Sequence, residues 1–366
     1  IMDKILFVSV ARNIDSPVDI RQQNFIKSLS NDFDLTVVNY ARYMGIFRKK
    51  SKIIKYTRLL LAKIIKPDIF SILYPFYWWK LKKLLKVNDY HTIIIGTLPR
   101  FPIKLSKMII RRSQAKLIVD LSDPIVDDIS LNNLSKSKLK YLNKLESKYI
   151  MNFDHLIVVN SEVADHYKRK YLNIKNLHLI EQGTDLITVP KNTTNLNDLK
   201  EMKLIYAGFF YRVNREPFEL YKAVEDFTNK QIKLSIFSNF DEYFLPPKNE
   251  KFHFGGRIRR KLLISKYLES DVLIYIDNKD SIQIPGKLFE LLSLNKPILM
   301  IYHDENYIPF KYLKNYDGIV YTKNNKLDIL YALYNLSVSN FTLERDVSNY
   351  SWDFLYNKLK RIIVEG

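Results

Sequence analysis

Short β-branched runs alternate with longer stretches of helical apolar spacing along almost the whole chain. No other feature of the sequence restricts the fold as much. In the first half the strand candidates are residues 4–10 (KILFVSV), 34–40 (DLTVVNY), 91–96 (HTIIIG), 116–121 (KLIVDL), 154–160 (DHLIVVN) and 177–180 (LHLI). Between them apolar residues recur at helical spacing, as at Phe25, Ile26 and Leu29, or at Leu139, Leu142 and Leu145. Strands apolar on both faces and separated by helices predict a parallel sheet covered on both sides. Residues 184–202 break the pattern with Pro, Asn and Thr, which reads as a linker. The alternation then restarts, with strands over 203–208, 232–237, 251–256, 271–276, 297–302 and 318–322. Helices are predicted over 216–229, over 259–270 and near 326–337, and a last amphipathic segment spans Trp352–Glu365.

At 366 residues the chain exceeds the size at which single cores stop growing. The sequence therefore predicts an α/β protein of two Rossmann-like, doubly wound domains facing a central cleft. Their expected limits are 1–188 and 200–345, with the segment from about 350 to 366 packing back on the first. Such sheets bind ligands beyond the carboxyl ends of their strands, where the strand order reverses. The candidates there are Asp120 and Asp123 in the first half. In the second half they are Gly208 with Arg212 and Arg215, Gly255-Gly256-Arg257, and Pro285-Gly286-Lys287 with Glu290.

The stretch IQIPGKLFELLSLNKPIL (282–299) carries the sharpest chemical hint. It sets Pro285-Gly286-Lys287 at the head of an apolar helix, with Glu290 one turn in. A helix start favours Glu290 and disfavours Lys287, unless an incoming anion such as a phosphate reconciles the pair. The plain alternative is a loop end followed by a solvated lysine. Asp120 and Asp123 flank the turn at Pro124 and either cap a helix or meet a substrate hydroxyl. Six histidines are scattered without paired spacing, so no metal site is expected.

The formal net charge is +19, and it is unevenly placed. Between Arg42 and Lys86 stand thirteen Lys or Arg and a single acid, Asp68. In residues 47–66 and 76–86 these cations interleave with Ile, Leu and the pair Trp78-Trp79, as in helices that lie in a membrane interface. An anionic membrane surface is the expected partner. A nucleic acid is not, because no recognisable nucleic-acid module accompanies the charge. There is no cysteine, which excludes disulfides and thiolate metal sites. The first strand-like run begins at Lys4, so no signal peptide is expected, and no run approaches the ~18 apolar residues of a spanning helix.

These features together resemble the GT-B fold glycosyltransferases of bacterial surface-polysaccharide synthesis, and in particular the large retaining glycosyltransferase family four. The segment IPGKLFELLSLNKPIL is similar to that family's Pro-x-Lys-x-x-Glu-Tyr-x-x-x-Gly-x-Pro-Ile. LIYAGFFYRVNREP (204–217) resembles the strand, glycine and basic loop that open its nucleotide-binding domain. LIVDLSDPI (117–125), LIVVNSEVADHY (156–167) and LIEQGTDL (179–186) resemble segments of its acceptor half and the turn before its linker. Two departures stand out. The first of the family's two glutamates is Ile282 here, and the arginine that often follows the glycine is Phe209.

The resemblance implies a metal-independent glycosyltransferase taking a nucleotide-sugar donor, UDP-linked, to a glycan or lipid-linked acceptor, with no separate cofactor. It assigns the ribose to Glu290 and the diphosphate to Lys287 with Arg215 or Arg212. Gly208, Arg257, Pro285 and Gly286 would line the same donor site. Asp120 or Asp123 would orient or deprotonate the acceptor. It also implies a cytoplasmic enzyme, peripheral on the inner face of the plasma membrane. A sugar-nucleotide epimerase of the same architecture is the alternative, using the same phosphate and ribose contacts.

Overall fold

The computed structural model describes residues 2–9, 16–39, 71, 73–128, 131, 134–174, 176–186, 191–279, 282–284, 286–303 and 309–365. The chain divides into two compact units, Ile1–Gly183 with Tyr350–Gly366, and Thr184–Asn349.

The first unit is built on a six-stranded parallel sheet in the order β2-β1-β3-β4-β5-β6. Its strands are β1 (Lys4–Val8), β2 (Asp34–Val38), β3 (Thr92–Gly96), β4 (Lys116–Leu121), β5 (His155–Val158) and β6 (Leu177–Leu179). The helices around it are α1 (Pro17–Asp32), α2 (Tyr74–Val87), α3 (Ser106–Ile109), α4 (Lys136–Tyr149) and α5 (Ser161–Lys170). The strands read as continuous β-branched runs because both faces are covered: every residue of β3 is buried, as are five of the six in β4. Helix α1 starts where Ser16 accepts the Asp19 amide, with Pro17 in the first turn. Gly96 ends β3 against α1, where a Cβ would lie 2.7 Å from the carboxamide of Gln22 and displace it.

The C-terminal helix, labelled α11 below (Trp352–Glu365), belongs to this first unit. Leu355, Leu359, Ile362 and Ile363 enter a cluster with Ile5, Phe7, Phe25, Leu29 and Ile94. Tyr356 Oη donates to Asp32 at 2.6 Å, and Lys360 and Lys358 pair with Asp32 and Glu181 at 2.8 Å each. Trp352 packs so closely over Gly183 that a Cβ there would meet its ring at 2.5 Å.

The second unit repeats the plan with a parallel sheet in the order β10-β9-β8-β11-β12-β13. These are β8 (Glu201–Ala207), β9 (Gln231–Phe237), β10 (Phe252–Phe254), β11 (Val272–Ile276), β12 (Ile298–Tyr302) and β13 (Ile319–Lys323). Its helices are α6 (Phe218–Asp226), α7 (Arg260–Glu269), α8 (Lys287–Leu292), α9 (Phe310–Leu313) and α10 (Lys326–Ser337). In order of appearance the strands run 3-2-1-4-5-6, the doubly wound Rossmann arrangement, with its switch point between β8 and β11.

One element lies inside the stretch read as linker. Strand β7 (Asn192–Asn195) pairs antiparallel with β14 (Asn340–Leu343), from Asn192 opposite Leu343 to Asn195 opposite Asn340. Its sequence, NTTN, has no apolar alternation to betray a strand, and a partner far along the chain supplies the pairing.

Candidate functional site

In the second unit the loops after β8 and β11 meet at the switch point. Tyr211 and Arg215 close a tight hairpin through two backbone hydrogen bonds of 3.0 and 2.8 Å. The hairpin is tied to the β11 loop by the Lys279 amide, which donates to Asn214 O at 2.8 Å. Val213 occupies its tip at φ 70°, a left-handed conformation that costs a β-branched residue strain. This geometry sends Arg215 inward. Its guanidinium is buried, donates to the Asn278 side chain and to Phe209 O, and so bridges the two strands' loops. Arg215 Nε has no hydrogen-bond partner among the described residues. At Gly208 a Cβ would lie 2.9 Å from Tyr206 Oη and press on that hydroxyl.

Around Arg215 the site collects two more cations, Arg260 and Lys287, and three carboxyl groups, Glu290, Asp185 and Asp277. Arg260, at the head of α7, donates from Nε to Glu290 Oε2 at 3.1 Å and from Nη1 to Asp185 Oδ2 at 2.7 Å. Lys287 opens α8, with Nζ 5.7 Å from the Tyr267 ring centre. Burial, aided by the charges of Arg215 and Arg260, pushes Lys287 down to about 8 against the opposing pull of Glu290. Asp277, buried at the end of β11, is pushed up to about 7 by desolvation, although the Asn278 amide, Arg215 and Tyr275 hold it back. The Tyr267 hydroxyl is buried and has no partner among the described residues. The cluster thus sets three cations against Glu290, Asp185 and Asp277 in a partly dry setting, with the Arg215 Nε and Tyr267 hydroxyl donors unspent. Fixed cations with unspent donors are the kind of arrangement that can receive an anion.

The expected donor residues are only partly brought together. Arg215, Lys287 and Glu290 converge, with Gly208 beneath Arg215. Arg212 stays outside the cluster: it is exposed and stacks over Tyr243, 4.4 Å from the ring centre. Arg257 is also exposed, 5.8 Å from the ring centre of Phe209, because the turn at Gly256 (φ 63°) carries it to the rim. Pro285 lies outside the described residues. Gly286 takes an ordinary right-handed conformation (φ −58°) at the head of α8, so no positive φ demands the glycine. Helix α8 is only six residues long, and the local positive charge comes from side chains more than from a helix terminus. Arg260, Asp277 and Asn278 escaped the sequence reading. Arg260 sits in a run of basic residues and looks solvated, but the strand-end position of Asp277-Asn278 was a usable signal.

The first unit corrects the expectation for Asp120. Its carboxylate is fully enclosed and gripped by Arg21 of α1, from Nε at 3.0 and 3.1 Å and from Nη2 at 2.9 Å. Arg21 also donates to the carbonyls of Glu181 and Ile180. A carboxylate held in this way by a buried guanidinium ties a helix to a strand end and has its oxygens occupied. Asp123 is only partly buried, three residues on, beside the buried Ser122 hydroxyl. Ser122 Oγ has no partner among the described residues.

No protein-family model matches this sequence, and neither does any curated protein. Solved structures do match over nearly the whole chain. A sucrose-phosphate synthase from Thermosynechococcus elongatus superposes with a TM-score of 0.65 at 12% identity, over 99% of this chain and 98% of that one. The lipopolysaccharide outer core galactosyltransferase WaaB gives 0.61 at 12% identity, with 99% of each chain covered. The chain has a GT-B fold. A UDP-N-acetylglucosamine 2-epimerase from Rickettsia bellii shares that fold too, at a TM-score of 0.54 and 11% identity over 100% and 96% of the two chains. The α/β reading of two doubly wound parallel sheets therefore holds.

Proposed function

We propose that this GT-B chain is a glycosyltransferase that moves a sugar from a UDP-linked donor to a glycan or lipid-linked acceptor in bacterial surface-polysaccharide synthesis. The observation that carries the reading is the gathering of Arg215 and the Arg260–Glu290 pair around Lys287 at the switch point of the second sheet. In the transfer, the bond from the anomeric carbon to the diphosphate oxygen breaks and a bond to the acceptor oxygen forms. Charge builds on the leaving diphosphate, so fixed cations aimed at it stabilise the transition state more than the ground state. Arg215 is preorganised for this by Asn278 and Phe209 O, and Lys287 adds a point charge. With these cations facing the diphosphate, the reaction is proposed to need no bound metal. Glu290 takes the ribose hydroxyls, and Asp123 with Ser122 receives the acceptor hydroxyl.

Glu290→Ala is expected to lower turnover well over tenfold with little change in melting temperature, because one charge-assisted contact is worth about 1.5–3 kcal/mol. Unchanged donor binding and turnover would reduce Glu290 to a mere partner of Arg260. The function as a whole is tested by a thermal-shift panel of sugar nucleotides, followed by product analysis. Release of UDP that depends on added acceptor marks a transferase. Conversion of the sugar nucleotide to an isomer without any acceptor marks an epimerase. The epimerase structures of the same fold keep that second reading open.

Helix α2 favours the transferase and its lipid-linked acceptor. Only Tyr77 and Leu81 of this helix are buried. Phe76, Trp79, Lys80, Lys82, Lys83 and Lys86 are exposed, and Lys83 Nζ sits 3.8 Å from the Trp79 ring centre. Basic residues beside aromatic ones suit the headgroup region, where each Lys or Arg adds about 1 kcal/mol on an anionic surface. The basic segment 47–66 lies outside the described residues, so Lys49, Lys50, Lys52 and Lys55 are assigned no place here. No helix of the described residues is long and apolar enough to cross a membrane, and we propose peripheral binding at the cytoplasmic leaflet. Liposome sedimentation should require anionic lipid, weaken with salt, and fall when Lys80, Lys82, Lys83 and Lys86 become Glu. Equal recovery on neutral vesicles would remove the membrane from the reading.

A further inference from the structure

Glu290 is held from one side only. Its Oε2 accepts from Arg260 Nε at 3.1 Å, while Oε1 has no hydrogen-bond partner among the described residues. The side chain is only 13% exposed, yet the open oxygen is not among the buried unpartnered atoms, so a ligand can reach it. Arg260 is anchored in turn, because its Nη1 donates to Asp185 Oδ2 at 2.7 Å. The guanidinium therefore lies between two carboxylates and cannot turn about one without straining its bond to the other. A long glutamate side chain left alone would sample several rotamers and lose that freedom on ordering. Fixing it beforehand removes that cost from ligand binding.

We propose that Arg260 is a positioning residue that fixes the Glu290 carboxylate so that Oε1 reads the ribose 2′-hydroxyl, making the site selective for ribonucleotides over 2′-deoxyribonucleotides. The inference rests on the donor-site reading above and adds a specificity device to it. Arg260 itself touches no part of the nucleotide. Its Nε and Nη1 donate to Glu290 and Asp185, and its proposed effect on the ribose passes through the carboxylate. Asp185 is the outer anchor, and being more than half exposed it contributes geometry more than energy.

The test uses the full-length chain and calorimetric titration with UDP and 2′-deoxy-UDP. The wild type should bind UDP about tenfold or more tighter than 2′-deoxy-UDP, the value of one charge-assisted hydrogen bond to a hydroxyl. In Arg260→Gln, UDP affinity should fall by about that factor and 2′-deoxy-UDP affinity should barely move, so the ratio collapses. Arg260→Lys should restore part of the ratio, and Glu290→Gln should abolish it whichever residue stands at 260. A role in folding alone would weaken both ligands equally and lower the melting temperature. A UDP to 2′-deoxy-UDP ratio unchanged in Arg260→Gln overturns the inference while leaving the donor site standing. Wild-type binding of neither UDP nor any other nucleoside diphosphate overturns both.

Discussion

Asp120→Ala is expected to lower the stability of the first unit by about 3–5 kcal/mol, the cost of leaving a buried charge without its partner. Arg21 is fully buried, and once Asp120 is gone its remaining acceptors are two main-chain carbonyls. Folded domains are held by only about 5–15 kcal/mol, so the variant should unfold at clearly lower urea. The double change Arg21→Met with Asp120→Leu should be milder than either single change, because it removes both charges together. Urea unfolding of Asp120→Ala, the double variant and its two single changes measures this directly. If Asp120→Ala melts like the wild type and loses turnover instead, then Asp120 belongs to the chemistry after all.

Lys287→Ala is expected to lower donor turnover by about two to three orders of magnitude, the usual cost of removing one group that stabilises transition-state charge. Its effect on stability should have the opposite sign. Burial pushes Lys287 from its ordinary 10.5 down to about 8, so at pH 7 the folded chain carries a charge that it would rather shed. Below pH 8 that penalty is present in full. Between pH 8 and 10.5 the folded state gives up the proton first, and the contribution of this group to folding rises with pH. Catalysis runs the other way. The value of kcat/KM, which reports the free enzyme, should fall as pH rises through about 8. Lys287→Arg should keep its charge there and hold the alkaline plateau. A wild-type profile flat from pH 7 to 9.5 would count against a role for the Lys287 charge in binding the donor.

What the sequence determined was whatever is written in short-range periodicity. Parallel strands covered on both faces become near-continuous β-branched runs, so 116–121 matches β4 end to end. The spacing of apolar residues likewise placed helices at 326–337 and 352–365 without error. The strand β7 left no such trace, because NTTN has no apolar face and exists as a strand only through β14. The site divided along the same line. That Asp120, Gly208 and Glu290 stand at strand ends or at a helix start can be read locally. Which cation each carboxylate meets cannot: Arg21 is 99 residues from Asp120, and Arg260 is 30 residues from Glu290. Those pairings depend on which helix crosses which strand end, and that is set by the winding of the sheet. Arg212 and Arg215 show the same division within four residues. Both are basic and both follow β8, and only the hairpin closed by Tyr211 and Arg215 decides which one is buried beside Asn278 and which stacks on Tyr243 in solvent.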